Sequence, residues 1–373
     1  MTGSILEAQG VTYSYGGAKD RTTALHKVSV GVRAGSRTAL LGANGAGKST
    51  LFYHFNGVFK PKSGTVLHKG EPLDYSKEAL SELRSEVCVV VQNPDEQIFS
   101  STVEEDIAFG PLNAGMPRDE VEARIEDALF KVGMEAYRTR PSTQLSYGQR
   151  KRVSIAGALA VDPEVLILDE PTAGLDPQMS QEVIEIVDQL CEGGTTVVVS
   201  THDVDLAYSW AEDAAVLRRG RAVFTGTPEG FFSDVPLSYS CGLGTPSVAA
   251  LDASLRPGLP GSPRTRAELL FGLAPEDAEI GRVEMVPVRQ GDDVSGEASA
   301  VPADVRVGVY GSVARRAFAA SGARADHRFD AIDGCAVDAV RGADSVLFCD
   351  EGMVGFARRR LSALERFGRG SVL

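Results

Sequence analysis

Paired cysteines are missing from this chain. Its five, Cys88, Cys191, Cys241, Cys335 and Cys349, show no C-x-x-C or Cys/His ligand spacing, which excludes a zinc or dithiol motif of the usual kind. Each is expected to be a small buried or half-buried residue in a reducing compartment. Long apolar runs are missing too. The longest, such as residues 87–91 and 197–199, fall far short of the ~20 residues that cross a bilayer, so the chain is expected to be soluble and to borrow any membrane role from partners. No charged-then-apolar leader follows Met1; the alternating Ile5-Leu6-Glu7-Ala8 stands there instead, and no export signal is expected. Basic charge is in deficit: 38 Lys and Arg against 51 Asp and Glu give a net charge of −13. That balance argues against a whole-surface nucleic-acid binder. There is no internal repeat and no long coiled-coil stretch.

What remains is ordinary globular composition, 43 % apolar and 24 % charged over 373 residues, enough for one large domain and a smaller one. Residues 1–235 alternate between β-branched runs and helical spacing. Strands are predicted at 38–41, 87–91, 165–168 and 196–200, and helices at 49–55, 118–132 and 178–190. This predicts an α/β core with a helical insert between the strands at 91 and 165. Composition loosens over 236–263, where Pro257, Gly258, Pro260, Gly261 and Pro263 cluster, and 266–273 can form a short helix. Residues 287–302 look like linker, within an expected connector at 273–303. A small α/β unit is expected at 304–373, with strands at 305–310 and 345–349.

Two motifs carry chemistry. Gly42-Ala-Asn44-Gly45-Ala-Gly47-Lys48-Ser49-Thr50 fits the P-loop pattern in full. Its glycines let backbone N–H groups turn inward around ATP phosphates, and the following helix N-terminus adds favourable charge. Lys48 is expected on the β- and γ-phosphates and Ser49 on Mg²⁺. The second motif is the apolar run 165–168 ending in Asp169-Glu170. Asp169 is positioned to hold Mg²⁺ and Glu170 to act as general base on the attacking water.

The stretch Leu145-Ser146-Tyr147-Gly148-Gln149, about twenty residues ahead of that pair, narrows the class. With the P-loop and carboxylates in order, residues 1–235 resemble the ATP-binding cassette (ABC) ATPases. The resemblance implies a P-loop NTPase fold with a helical subdomain and a reaction that needs two cassettes. Ser146, Gly148 and Gln149 would then serve ATP held by a second ABC ATPase subunit, a twin chain by preference. Gly174, Leu175 and Asp176 would lie at the seam. The resemblance further implies Gln92 at Mg²⁺ and the lytic water, His202 at the γ-phosphate, and Tyr15 stacked on adenine with Tyr13 as its rival. Tyr147 departs from the pattern, where glycine is usual; Ser146 and Gly148 are retained, so the change reads as drift at a side chain pointing away from phosphate.

The segment Asn93-Pro-Asp95-Glu96-Gln-Ile-Phe-Ser100, continuing through Thr102-Val103 and Glu105-Asp-Ile-Ala-Phe-Gly-Pro111, resembles ATPase subunits of energy-coupling-factor importers, the cobalt/nickel type above all. This implies integral membrane transport subunits as partners, no nucleic acid, and a peripheral place on the cytoplasmic face. Asp95 and Glu96 are the carboxylates that could engage a basic membrane partner. Residues 228–272 loosely resemble a dimer-contact tail of such ATPases, taken here as 236–272. The last ~70 residues resemble an extra domain on some cobalt-type ATPases. There, Gly308-Val-Tyr-Gly311 after a strand is a weak phosphate-loop hint that reads first as an ordinary strand-to-helix turn, and His327, Cys335 and Cys349 lack ligand spacing. Alternative readings are an energy-coupling ATPase for a vitamin such as biotin, and a soluble ABC ATPase outside transport.

Overall fold

Alternating apolar residues open the chain. In this computed structural model β1 (Ser4–Tyr15) and β2 (Thr22–Arg33) pair antiparallel, with Leu6, Ala8 and Val11 opposite Val32, Val30 and Val28. The structure describes residues 3–16, 22–257, 261–275, 277–367 and 371–373. Met1, Gly258 and Pro260 lie outside the described residues.

β3 (Arg37–Leu41), buried throughout, leads through a glycine-rich turn into helix α1 (Lys48–Phe55). β4 (Ser63–His68) and β5 (Glu71–Pro72) join the first hairpin in a four-stranded sheet ordered β2-β1-β4-β5. Helix α2 (Lys77–Glu86) feeds β6 (Val87–Val90). Three helices then pack on one another as the expected insert: α3 (Val103–Asn113), α4 (Arg118–Val132) and α5 (Tyr147–Leu159). Their ends follow local chemistry. Thr102 and Glu105 close a capping box before α3, and Gly133 ends α4 at a left-handed φ of 68°.

The chain returns as β7 (Val165–Asp169), helix α6 (Pro177–Glu192), β8 (Thr196–Thr201), β9 (Asp213–Arg218) and β10 (Arg221–Gly226). Six strands lie in the order β10-β9-β3-β8-β7-β6, parallel except for β10. The register pairs Leu41 with Thr201 and Asp169 with Ser200. The carboxyl ends of β3, β7 and β8 therefore finish at one edge, where parallel sheets bind ligands.

Contacts divide the chain into two units, 1–183 with 193–245, and 184–192 with 246–373. The first runs past the expected boundary at 235, because Ser238 Oγ donates to the carbonyls of Leu243 and Gly244 and Cys241 and Leu243 are buried. The second holds β11 (Val283–Val288), β12 (Arg306–Tyr310) and β13 (Ser345–Asp350), all parallel, in the order β11-β13-β12. This corrects the expected linker at 273–303. β11 is an edge strand, so Pro287 is tolerated in it, and Val288 and Val294 belong to a buried core. It also corrects the tail at 236–272: Ala267 and Phe271 are buried in the second unit's core, so that face of the segment is spent on folding. The small unit thus starts well before residue 304.

The turn at Gly311 needs no phosphate. Asp350 accepts from the N–H groups of Val313 (3.3 Å) and Ala314 (2.7 Å), and Glu185 accepts from Gly311 N–H at 3.2 Å. Glu185 also pairs with Arg315 at 2.5 Å. Burial pushes the Glu185 carboxyl up to about 7, against Arg315 and the Gly311 N–H, which pull it down. With the folded value raised, its contribution to stability is full below the unfolded carboxylate range and is lost as pH rises through about 7. Thermal melts from pH 5 to 8 should therefore fall for the wild-type chain, and Glu185→Gln should flatten that slope.

Candidate active site

Five stretches of chain, residue 15, residues 22–24, the glycine-rich turn and helix start at 43–50, residue 92 and residues 169–170, meet in one cleft. Gly47 caps α1 with φ 107°, and a Cβ there would stand 2.8 Å from Ala24 O, so only glycine lets the turn close against β2. Lys48 reaches back to donate to Gly42 O at 2.7 Å and sits 3.6 Å from Glu170. Ser49 Oγ donates to Asp169 Oδ2 at 2.5 Å. Ser200 holds the other Asp169 oxygen. Ser200 was missed in the sequence; its only signal is its pairing opposite Asp169, which depends on sheet register.

Glu170 is 4 % exposed and has φ 46°, a left-handed conformation rare for a side-chain-bearing residue and costly by about 1–3 kcal/mol. Its N–H bonds to Ser200 O at 3.1 Å. Its Oε2 meets His202 Nδ1 at 2.9 Å, and its Oε1, buried with no hydrogen-bond partner among the described residues, faces Lys48 Nζ at 3.6 Å. A fixed carboxylate with one oxygen committed to no hydrogen bond is what a general base requires.

The cleft holds about 390 Å³ and is lined by Tyr15, Asn44, Gly45, Gly47, Lys48, Ser49, Thr50, Gln92, Asp169 and Glu170, with Thr22, Thr23 and Ala24 that the sequence reading missed. Gly42 lies just behind, as the acceptor for Lys48. Of the two tyrosines, Tyr15 lines the cleft and is 41 % exposed, with its OH 3.0 Å from Thr50 Oγ1. Tyr13 instead stacks on Phe59 at 4.9 Å. Ser49, Asp169 and Gln92 bring oxygen donors to the cleft, a set that fits Mg²⁺.

Other expected residues stand elsewhere. His202 touches Glu170 but is not part of the cleft lining. Ser146, Gly148, Gln149, Gly174, Leu175 and Asp176 are outside it too. Ser146 caps α5, its Oγ accepting from Gln149 N–H and its N–H donating to Gln149 Oε1 at 2.9 Å. The Gln149 side chain is thus committed to its own helix. A Cβ at Gly148 would meet the tip of the Met179 side chain, which would have to shift. Asp176 caps α6 through Met179 N–H at 2.8 Å. Asp95 is paired with Arg150 at 2.7 Å. Burial lowers Lys151 to about 8, against the raising fields of Asp169 and Glu170. In the second unit burial pushes the Cys335 thiol up to about 12, and no group of three His, Cys, Asp or Glu able to hold a metal occurs among the described residues.

A phosphate-cradling turn, a hydrogen-bonded Ser49–Asp169–Ser200 trio and a carboxylate beside a histidine define a P-loop ATPase of the ATP-binding cassette class. The ABC transporter family profile matches residues 25–173. The chain is 48 % identical over 247 residues to the energy-coupling factor transporter ATP-binding protein EcfA of Methanocaldococcus jannaschii, covering 66 % of this chain and 88 % of that one. It is 36 % identical over 382 residues to EcfA2 of Methanospirillum hungatei, covering 99 % and 95 %. Among solved structures it is similar to cbiO1 of Clostridium perfringens, part of the ABC transporter complex cbiONQ, with TM-score 0.56, 39 % identity, and 64 % and 94 % of the two chains covered. The chain belongs to the ABC transporter ATP-binding proteins of the energy-coupling factor type. It is the ATP-hydrolysing, energy-coupling subunit of a transporter.

Proposed function

We propose that this chain hydrolyses ATP at a seam with a second copy of itself and so drives membrane partners that import a divalent transition metal, cobalt or nickel. One observation carries the reading. Lys48, Ser49, Asp169 and Glu170 line a single cleft, while Ser146 and Gly148 stand outside it. A twin chain supplies what the cleft lacks.

In that seam the N–H groups of the Gly45–Gly47 turn and Lys48 Nζ hold the phosphates. Glu170 Oε1 takes the proton of the attacking water while His202 fixes Oε2, its other nitrogen free to face the γ-phosphate. Mg²⁺, held when bound by Ser49, Gln92 and Asp169, supplies charge neutralisation on the phosphates. Tyr15 stacks on the adenine. From the twin, Ser146 donates its hydroxyl and the first turn of α5 its N–H groups, while Gly174 to Asp176 line the seam.

Coupling to the membrane partner is assigned to an exposed apolar patch rather than to Asp95, which Arg150 already occupies. Phe99 is 65 % and Phe109 49 % exposed, their rings edge-to-face at 4.7 Å, and Leu112 is exposed beside Phe109 on α3. Exposed aromatic pairs of this kind mark contact surfaces; Glu96, also exposed, supplies charge nearby. No helix among the described residues is long and apolar enough to cross a membrane, which fits peripheral attachment on the cytoplasmic face. Replacing Phe99 and Phe109 together by Asp should cut uptake in cells at least about tenfold and leave ATP turnover by the purified chain near wild type. Loss of both would place the patch in folding instead.

The metal reading is supported by the Asn93–Pro111 segment, through its resemblance to the cobalt/nickel type. The second reading is a vitamin such as biotin; the EcfA relatives are named for energy coupling alone, without a solute.

A further inference from the structure

Helix α5 of this chain holds the main chain of its own Gln92, through two residues outside the cleft. Lys151 on α5 is fully buried. Its Nζ donates to Gln92 O at 2.8 Å and to Val91 O at 2.9 Å. One turn earlier on the same face, Tyr147 OH donates to the same Gln92 oxygen at 3.4 Å. A carbonyl oxygen has two lone pairs and can accept both. The Tyr147 ring lies over Gly174 of the seam loop: a Cβ there would come within 3.1 Å of ring Cε1. The same helix takes a further hold through Gln97, which accepts from Val91 N–H at 3.2 Å and donates to Ser154 O at 3.4 Å.

Burying an ammonium is costly, and an apolar side chain of similar length would fill the space without that cost. What lysine supplies here is a fixed direction for two carbonyls beside the reacting groups. Tyr147 occupies the position where a glycine could neither reach Gln92 nor cover Gly174.

We propose that Tyr147 and Lys151 are positioning residues that tie Gln92 to the first turn of α5, so that docking of Ser146 on the twin chain's ATP sets the position of Gln92 in this chain's own cleft. This rests on the roles proposed above for Gln92 and Ser146. Neither residue lines the cleft, so each acts through Gln92.

The test measures kcat, KM and ATP affinity of the full chain for Tyr147→Phe, Tyr147→Gly, Lys151→Met, Gln92→Ala and the Gln92→Ala/Lys151→Met pair. Lys151→Met should lower kcat about tenfold, within the range for a slightly displaced catalytic group, with ATP affinity unchanged. Tyr147→Phe should lose about two- to threefold and Tyr147→Gly more. On a Gln92→Ala background Lys151→Met should cost nothing further. If Lys151→Met fails to fold, seen as lost ATP affinity, the two Tyr147 variants decide by the same readout. Wild-type kcat in both Lys151→Met and Tyr147→Gly overturns the proposal. So does an additive loss on the Gln92→Ala background, which leaves the Gln92 assignment standing. A wild-type rate in Gln92→Ala itself overturns both.

Discussion

Glu170→Gln should lower ATP turnover by about 10²–10⁴-fold, the range for a lost general base, while ATP affinity is retained. The substitution is nearly isosteric, and the site around it is tightly fixed. Glu170 is 4 % exposed, its N–H is bonded to Ser200 O and its Oε2 to His202 Nδ1 at 2.9 Å. What the amide removes is the negative charge and basicity of Oε1, which has no hydrogen-bond partner among the described residues and lies 3.6 Å from Lys48 Nζ. The P-loop contacts of Lys48 and Ser49 are left in place. ATP should therefore still bind and still draw two chains together, and the variant should accumulate as an ATP-bound dimer on size-exclusion chromatography. Steady-state turnover and ATP affinity measured side by side check this. Turnover within a few fold of wild type would remove Glu170 from the role of base.

Two inactive chains should restore activity when mixed. Lys48→Ala removes the phosphate-binding ammonium from one cleft, and Ser146→Arg blocks the Leu145–Gln149 stretch that serves the other. Each alone should lose at least about 10²-fold in turnover, the scale of a removed oxyanion-stabilising group. In a 1:1 mixture, random pairing makes half the dimers mixed, and each mixed dimer has one cleft with intact Lys48 facing an intact Ser146. About a quarter of wild-type activity should return. The prediction follows from the separation of Ser146 from the cleft lining. A mixture no more active than its components would mean that each chain completes its own site or pairs with a different ATPase.

The first unit was legible where chemistry is local. The P-loop, the run into Asp169-Glu170 and the strand ahead of His202 each announce themselves within a few residues, and helix α4 runs over the predicted span, Arg118–Val132. What depends on register was not legible. Ser200 reaches Asp169 only because β7 and β8 pair as they do, and Lys151 reaches Gln92 only because α5 packs beside the end of β6. Tyr147 looked like drift from the sequence; its ring over Gly174 and its bond to Gln92 O give it a physical reason. The segment read as linker misled through composition. Gly291, Asp292 and Pro287 resemble loop, yet Pro287 sits on an edge strand where its missing N–H costs nothing. Assignment of Ile184–Glu192 to the second unit has no sequence signal at all, since α6 is one unbroken helix.

Uptake of labelled cobalt and nickel, with biotin in parallel, decides whether this chain powers metal import, in cells carrying it together with its co-encoded membrane proteins. One of the two metals should accumulate, biotin should not, and Glu170→Gln should abolish the accumulation. Accumulation of biotin alone, or metal accumulation that survives Glu170→Gln, would contradict ATP-driven metal import by this chain.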